Sequence, residues 1–138
     1  MQIRITDDVL ENPDIVTYGY PNMTNTSRDS SYLKNCNISA AFMSYGMYIQ
    51  TETGTTVDAS ELGVKDIKVQ IKNGIFWNTI ATSGGGSVTN DHTFCGSCDC
   101  TNAVSGETYR IKCTHYAYIG GNYYHYDNTT DGFKYVKP

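Results

Sequence analysis

The sequence is short of positive charge, with 10 lysines and arginines against 14 acidic residues and a net charge of −4. Such a balance gives no overall basic field to draw in a phosphate backbone or an anionic bilayer, so nucleic acid falls away as a partner. A run of 18 apolar residues is also missing, so no helix long enough to cross a membrane is encoded and no membrane insertion is expected. Residues 1 to 20 lack the basic, apolar and small-residue order of a signal peptide. No stretch keeps a helical period for three turns, and no internal repeat on the scale of about 20 to 50 residues appears. The catalytic signatures G-x-S-x-G and H-E-x-x-H are absent, and no acid and base stand at a recognisable spacing. No catalytic residue, metal or cofactor is therefore assigned.

What the 138 residues do contain is aromatic and hydroxyl-rich: 12 Tyr, 4 Phe and 1 Trp, with 17 Thr, 10 Ser and 11 Asn. That length suits one domain, which can bury about two thirds of the unfolded chain's surface in one core. The composition is not that of a disordered chain.

Five cysteines, Cys36, Cys95, Cys98, Cys100 and Cys113, are many for a small chain and favour an oxidising compartment. They are read as disulfide candidates, with Cys36 and Cys113 as distant partners of the Cys95–Cys100 loop or of each other, and with one thiol left over. The pairing stays open. His92, Cys95, Cys98 and Cys100 form the alternative, a zinc set, but Cys98-Asp99-Cys100 is too tight for a usual site and a second ligand segment is missing. Cys95-Gly96-Ser97-Cys98 has redox spacing without the helix that would lower a thiol pKa. On these grounds the chain is read as the mature part of an exported protein, secreted or held at the cell surface.

Alternation with period two dominates the chain. Cys36, Ile38, Ala40 and Phe42 share one strand face, a turn follows at Ser44-Tyr45-Gly46, and Met47 and Ile49 resume. Asp58 and Glu61 have capping-box spacing, but Gly63 leaves room for only about one helical turn, so this is read as a connector. Ile67, Val69 and Ile71 alternate with Lys68, Gln70 and Lys72, and Asn73-Gly74 predicts a type I′ hairpin. Ser83-Gly84-Gly85-Gly86-Ser87 reads as a flexible loop. Tyr109, Ile111, Cys113, His115 and Ala117 form one face of a long strand that ends at Gly120-Gly121, and His115 there is read as a satisfied buried histidine. A last strand is expected around Phe133 to Val136.

Strands with no helices to cover them must be covered by another sheet. The predicted fold is all-β: a two-layer antiparallel β-sandwich of immunoglobulin-like or related Greek-key topology, with short turn or helical connectors, and a small barrel as runner-up. Residues 1–35 are read as an irregular N-terminal segment with room for an edge strand and residues 36–138 as the sandwich, the whole chain forming one structural domain.

Tyr116, Tyr118, Tyr123, Tyr124, His125 and Tyr126 make the densest aromatic patch and are the predicted ligand-binding residues. Tyrosines join an apolar face to a hydroxyl tip and suit sugar stacking or protein contact at little rotamer cost. The bland alternative is ordinary cross-strand pairing. Asp127 to Gly132 carries oxygen ligands but not the spacing of a calcium loop. Sequons at Asn22, Asn25, Asn37 and Asn128 are glycan acceptors only in a host with that machinery.

Ile67 to Ile71, Phe76-Trp77-Asn78-Thr79-Ile80, Gly106 to His115 and Asn128 to Phe133 follow one another in an order that resembles small secreted proteins of uncharacterised function from clostridial gut Gram-positive bacteria. The likeness runs over about residues 36 to 136, through W-x-T, Y-R-x-x-x-x-H and T-x-G elements; the Cys95–Cys100 segment and the polar N-terminal region depart from it. The resemblance implies export, a β-sandwich, a Trp77 core plug and a Tyr109 to His115 strand, and it implies no reaction. The expected function is a secreted or cell-surface binding module for an extracellular glycan or protein. A passive cell-envelope domain and a small extracellular hydrolase are the alternatives.

Overall fold

The structure, a computed structural model, describes the backbone of residues 16–20 and residues 32–138 in full. The strands are β1 (Val16–Tyr20), β2 (Leu33–Met43), β3 (Gly46–Asn73), β4 (Phe76–Ser83), β5 (Gly86–Cys100), β6 (Thr108–Ile119), β7 (Asn122–Thr129) and β8 (Phe133–Lys134). Among the described residues there is no helix. Of the predicted irregular N-terminal segment, residues 33–35 belong to β2 and β1 pairs antiparallel with β2, while residues 1–15 and 21–31 lie outside the described residues.

The 28-residue β3 organises everything else. Its first half pairs with β2 on one side, its second half pairs with β6 on that side, and β5 then β4 run back along the other side. The pairs Asn73 with Phe76, Val64 with Gly86 and Met47 with Cys100 show that β3 to β5 form one long hairpin. Straight, β3 would reach about 90 Å, far more than a compact domain of this size spans. It is bent by register breaks. Among the described residues, Asn35, Asp66 and Asn90 are the non-glycine residues with positive φ, at 52°, 56° and 53°. Asn35 and Asp66 lie inside breaks of the β2–β3 and β3–β6 ladders, and Asn90 borders the break in β3–β5. Asn and Asp tolerate the left-handed region, and an extra residue there bends the strand.

The result is a single antiparallel sheet curled into a half-barrel, ordered β1-β2-β3-β6-β7 with β4, β5 and β8 attached. On a flat sheet β2 and β6 would lie end to end beside β3, which would put Cys36 and Asn128 about 40 Å apart along it. In the curled sheet Asn128 Nδ2 on β7 donates to the Cys36 carbonyl on β2 across 3.2 Å. Tyr135 likewise donates its hydroxyl to the Met43 carbonyl, 2.6 Å away. The concave side buries Cys36, Ile38, Ala40 and Phe42 of β2 against Tyr109, Ile111, Cys113 and Ala117 of β6. Each large aliphatic side chain buried here contributes roughly 1.5 to 3 kcal/mol.

The predicted two-layer sandwich with Greek-key topology and helical connectors is therefore wrong, although the all-β antiparallel character is right. The cause is the segment Asp58–Gly63. Read as a connector, it splits the chain into separate sheets; as extended strand inside β3, it joins both halves into one. The glycine-rich stretch is no free loop either, since Ser83 pairs with Ile67 and Gly86 with Val64. The Asn73-Gly74 hairpin turns one residue later than expected. Asn73 pairs with Phe76, leaving Gly74 (φ 66°) and Ile75 as the central residues, the glycine-first arrangement of a type II′ turn. Trp77 is not a core plug but a half-buried surface ring, with the Arg110 guanidinium 4.5 Å from its centroid.

Candidate functional site: the convex tyrosine face

The β6–β7 hairpin closes through Gly120 and Gly121, whose φ values of 59° and 80° fit a two-residue type I′ turn. That turn fixes the register: Tyr118 lies opposite Tyr123 and Tyr116 opposite His125. Because strand side chains alternate, these four rings share the convex face. Tyr124 and Tyr126 point the other way. Tyr124 is buried, with its ring 5.0 Å from that of Tyr32, and Tyr126 stacks on His115 at 6.3 Å. The structure thus brings together Tyr116, Tyr118, Tyr123 and His125 and leaves Tyr124 and Tyr126 out.

The four rings are contiguous. Centroid separations are 5.1 Å for Tyr118 and Tyr123, 6.0 Å for Tyr116 and Tyr118, and 5.5 Å for the stacked Tyr123 and His125. Tyr118 and Tyr123 keep 38% and 36% of their surface exposed, whereas Tyr116 is buried at the base. Two charged residues from β3 complete the surface. The Lys65 ammonium lies 4.8 Å from the Tyr123 centroid and 5.4 Å from that of Tyr116, within cation–π range. A hydrogen bond with Tyr123 raises the Lys65 pKa, so it stays charged. Tyr116 donates its hydroxyl to Glu61 Oε2 at 2.5 Å; burial and this carboxylate both raise its pKa. Sequence reasoning missed Lys65 and Glu61 because their place beside β6 depends on a ladder between segments about 50 residues apart, visible only in the register. The split among the six aromatics, by contrast, was available from the two-glycine turn.

Behind this face lies a sealed polar cluster. His115 is fully buried, and Thr53 Oγ1 stands 2.8 Å from its Nδ1. Thr53 commits its proton to the Gly63 carbonyl, so Nδ1 carries the hydrogen and Nε2 accepts. Asn128 Nδ2 supplies one N–H to Nε2 at 3.1 Å and the other to the Cys36 carbonyl, and the Cys113 thiol approaches the same nitrogen at 3.5 Å. Burial lowers the His115 pKa to about 4 and raises that of the Cys113 thiol. Cys, His and Asn are also the members of a thiol-protease triad, but here Cys113 and Asn128 share one ring nitrogen and the thiol is held neutral, the reverse of an activated nucleophile. His115 is thus the satisfied buried histidine that the sequence suggested.

All five cysteines are free, which overturns the predicted disulfides. Geometry explains it. Cys95, Cys98 and Cys100 share one extended strand, so Cys95 and Cys98 stand about 10 Å apart, beyond the roughly 7 Å limit for a bridge; Cys98 and Cys100 fall at that limit, and the Cys100 thiol turns instead to the Asn102 side-chain oxygen at 3.3 Å. Strand β3 separates them from Cys36 on β2 by about the same distance. Cys36 and Cys113 both face the interior, but their thiols turn to the Lys34 carbonyl and to His115. Burial pushes the Cys36 thiol up to about 12. The cysteine argument for an oxidising compartment falls with the bridges. The same extended geometry spreads His92, Cys95, Cys98 and Cys100 too far to converge on one zinc ion. Among the described residues no group of three or more His, Cys, Asp or Glu is placed to hold a metal.

No family model, curated protein or solved structure matches this chain. Of the resemblance to clostridial secreted proteins, only the small all-β character is supported.

Proposed function

We propose that the protein is a non-enzymatic, extracellular binding module that recognises a glycan through Tyr118, Tyr123, Tyr116 and His125. The observation that carries this reading is the pair of half-exposed tyrosine rings flanked on one sheet face by the Lys65 ammonium and the Glu61 carboxylate. Sugar rings present C–H faces for stacking and hydroxyls for hydrogen bonds, and this surface offers both. Among the described residues the other exposed large hydrophobics, Tyr45, Val57, Ile75, Phe76, Val104 and Val136, belong to segments other than β6 and β7, so the tyrosines stand among charged and polar neighbours and not within a broad apolar patch. The non-enzymatic part of the reading is supported by the sealed, neutral Cys113–His115 cluster.

A double variant, Tyr118→Ala with Tyr123→Ala, tests the proposal on an oligosaccharide array. Each stacking ring lost should cost about 1 kcal/mol or more, so retention should fall at least tenfold with the melting temperature little changed. Undiminished retention by the folded variant would refute the assignment. An extracellular location is tested separately by whether the gene encodes an export signal ahead of Met1.

A further inference from the structure

We infer that the glycan is an anionic polysaccharide, laid along the convex face of β3 and β6 from the tyrosines toward Arg110. This deepens the glycan reading and rests on it. The protein as a whole is acidic, yet its cations are not scattered. On β6, Tyr118, Tyr116, Thr114, Lys112 and Arg110 follow one another on the convex face. On β3 the register break at Asp66 reverses the alternation, so that Lys65 before it and Lys68 and Lys72 after it all point to that same face. Were Asp66 held in regular alternation and not bulged out of the ladder, Lys68 and Lys72 would be turned inward. Lys134 joins them opposite Thr108.

Lys68 and Lys112 are direct partners across the ladder, an arrangement of like charges that destabilises a sheet and invites an anion between them. Lys68, Lys72, Lys112 and Lys134 form no ion pair among the described residues, and Arg110 spends its Nε on the Gln70 side-chain oxygen while stacking on Trp77. The paired stretches 67–73 and 108–113 contain no acidic residue. Most carboxylates near this face sit at the tyrosine end, where Glu61 and Asp127 accept hydroxyl hydrogen bonds from Tyr116 and Thr114, and Asp66 lies at the break; the exposed Asp131, beside Gly132 at the Trp77 ring, is the acidic residue at the far end. The surface therefore runs for about 27 Å from an aromatic platform to a cationic lattice closed by a second aromatic ring, Trp77. An extended chain of sugars bearing carboxylates or sulfates matches that sequence of stacking and charge.

The test measures binding of polygalacturonate, dextran sulfate and neutral dextran to the intact protein at low and high salt. The two polyanions distinguish carboxylate from sulfate recognition. Both or one should bind far more tightly than neutral dextran, and the binding should weaken steeply with salt. Lys68→Gln with Lys112→Gln should lower polyanion affinity about tenfold. Lys34→Gln, on β2, should leave it unchanged, and thermal melts check that each variant is folded. If an array glycan binds through Tyr118 and Tyr123 but neither polyanion is preferred and the lysine pair is silent, this inference fails while the glycan reading survives. If no glycan of any charge binds, both fail. Retention on phosphatidylglycerol vesicles that exceeds retention on either polysaccharide would overturn the inference in favour of a membrane surface.

Discussion

Acid should destabilise the protein through one buried ring. The folded pKa of His115 is about 4, against an ordinary value of 6.5, because burial disfavours the charged form. Its hydrogen bonds act in the same direction, since a proton on Nε2 would face the Asn128 N–H and the Cys113 S–H instead of accepting from them. Above pH 6.5 the ring is neutral in folded and unfolded chains and contributes no pH dependence. Between pH 6.5 and about 4 the unfolded chain takes up a proton that the folded chain refuses, so stability declines as pH falls. Below that window both states are protonated and the loss levels off. The difference of about 2.5 between the two values, at 1.36 kcal/mol for each, amounts to about 3 kcal/mol.

Urea unfolding at half-unit pH steps from 7.5 to 4 reads this directly. With a slope near 2 kcal/mol per molar, the midpoint should drop by about 1.5 M, in addition to whatever carboxylates and the other histidines contribute. Replacing His115→Gln removes the titration but leaves those other groups, so the variant should be less stable at pH 7 and lack most of the decline. Parallel curves for the two proteins between pH 6.5 and 4 would refute the reasoning.

Within the triple glycine, two adjacent substitutions should behave oppositely. Gly85 has φ 87° and a Cβ there would collide with the Val64 carbonyl, whereas a Cβ on Gly84 meets nothing within 4 Å. Gly85→Ala should cost about 2 to 4 kcal/mol in urea unfolding and Gly84→Ala less than about 0.5; equal effects would argue against the ladder contact. Thiol titration without reductant should find all five cysteines in denaturant, while in the native protein Cys95 reacts first and the buried Cys36 and Cys113 only on unfolding. Fewer than five reactive thiols in denaturant would indicate a bridge.

Some of this architecture is written locally. The alternation of Cys36 to Phe42 and of Tyr109 to Ala117 is a property of consecutive residues, and it marks the buried face of β2 and β6 without reference to anything distant. The turn at Gly120-Gly121 is equally local, because both positions need positive φ and backbone sterics favour glycine there. The tyrosine face was legible in its composition for the same reason, though two of its six expected members belong inside.

Partner choice was not legible. Thr51 to Gly63 has hydroxyls, a capping-box pattern and a glycine, and nothing in that stretch distinguishes a connector from the middle of a 28-residue strand. Pairing along β2, β5 and β6 decides it, and those ladders depend on contacts far apart in sequence. Whether thiols can meet also depends on how many strands lie between them, which cysteine spacing does not encode. The sequence by itself determined that the chain is antiparallel β with an aromatic outer surface, because side-chain alternation and turn sterics act between neighbours. Only the tertiary structure decided that one sheet curls on itself, that the cysteines stay apart, and that a single register break places lysines and tyrosines on the same face.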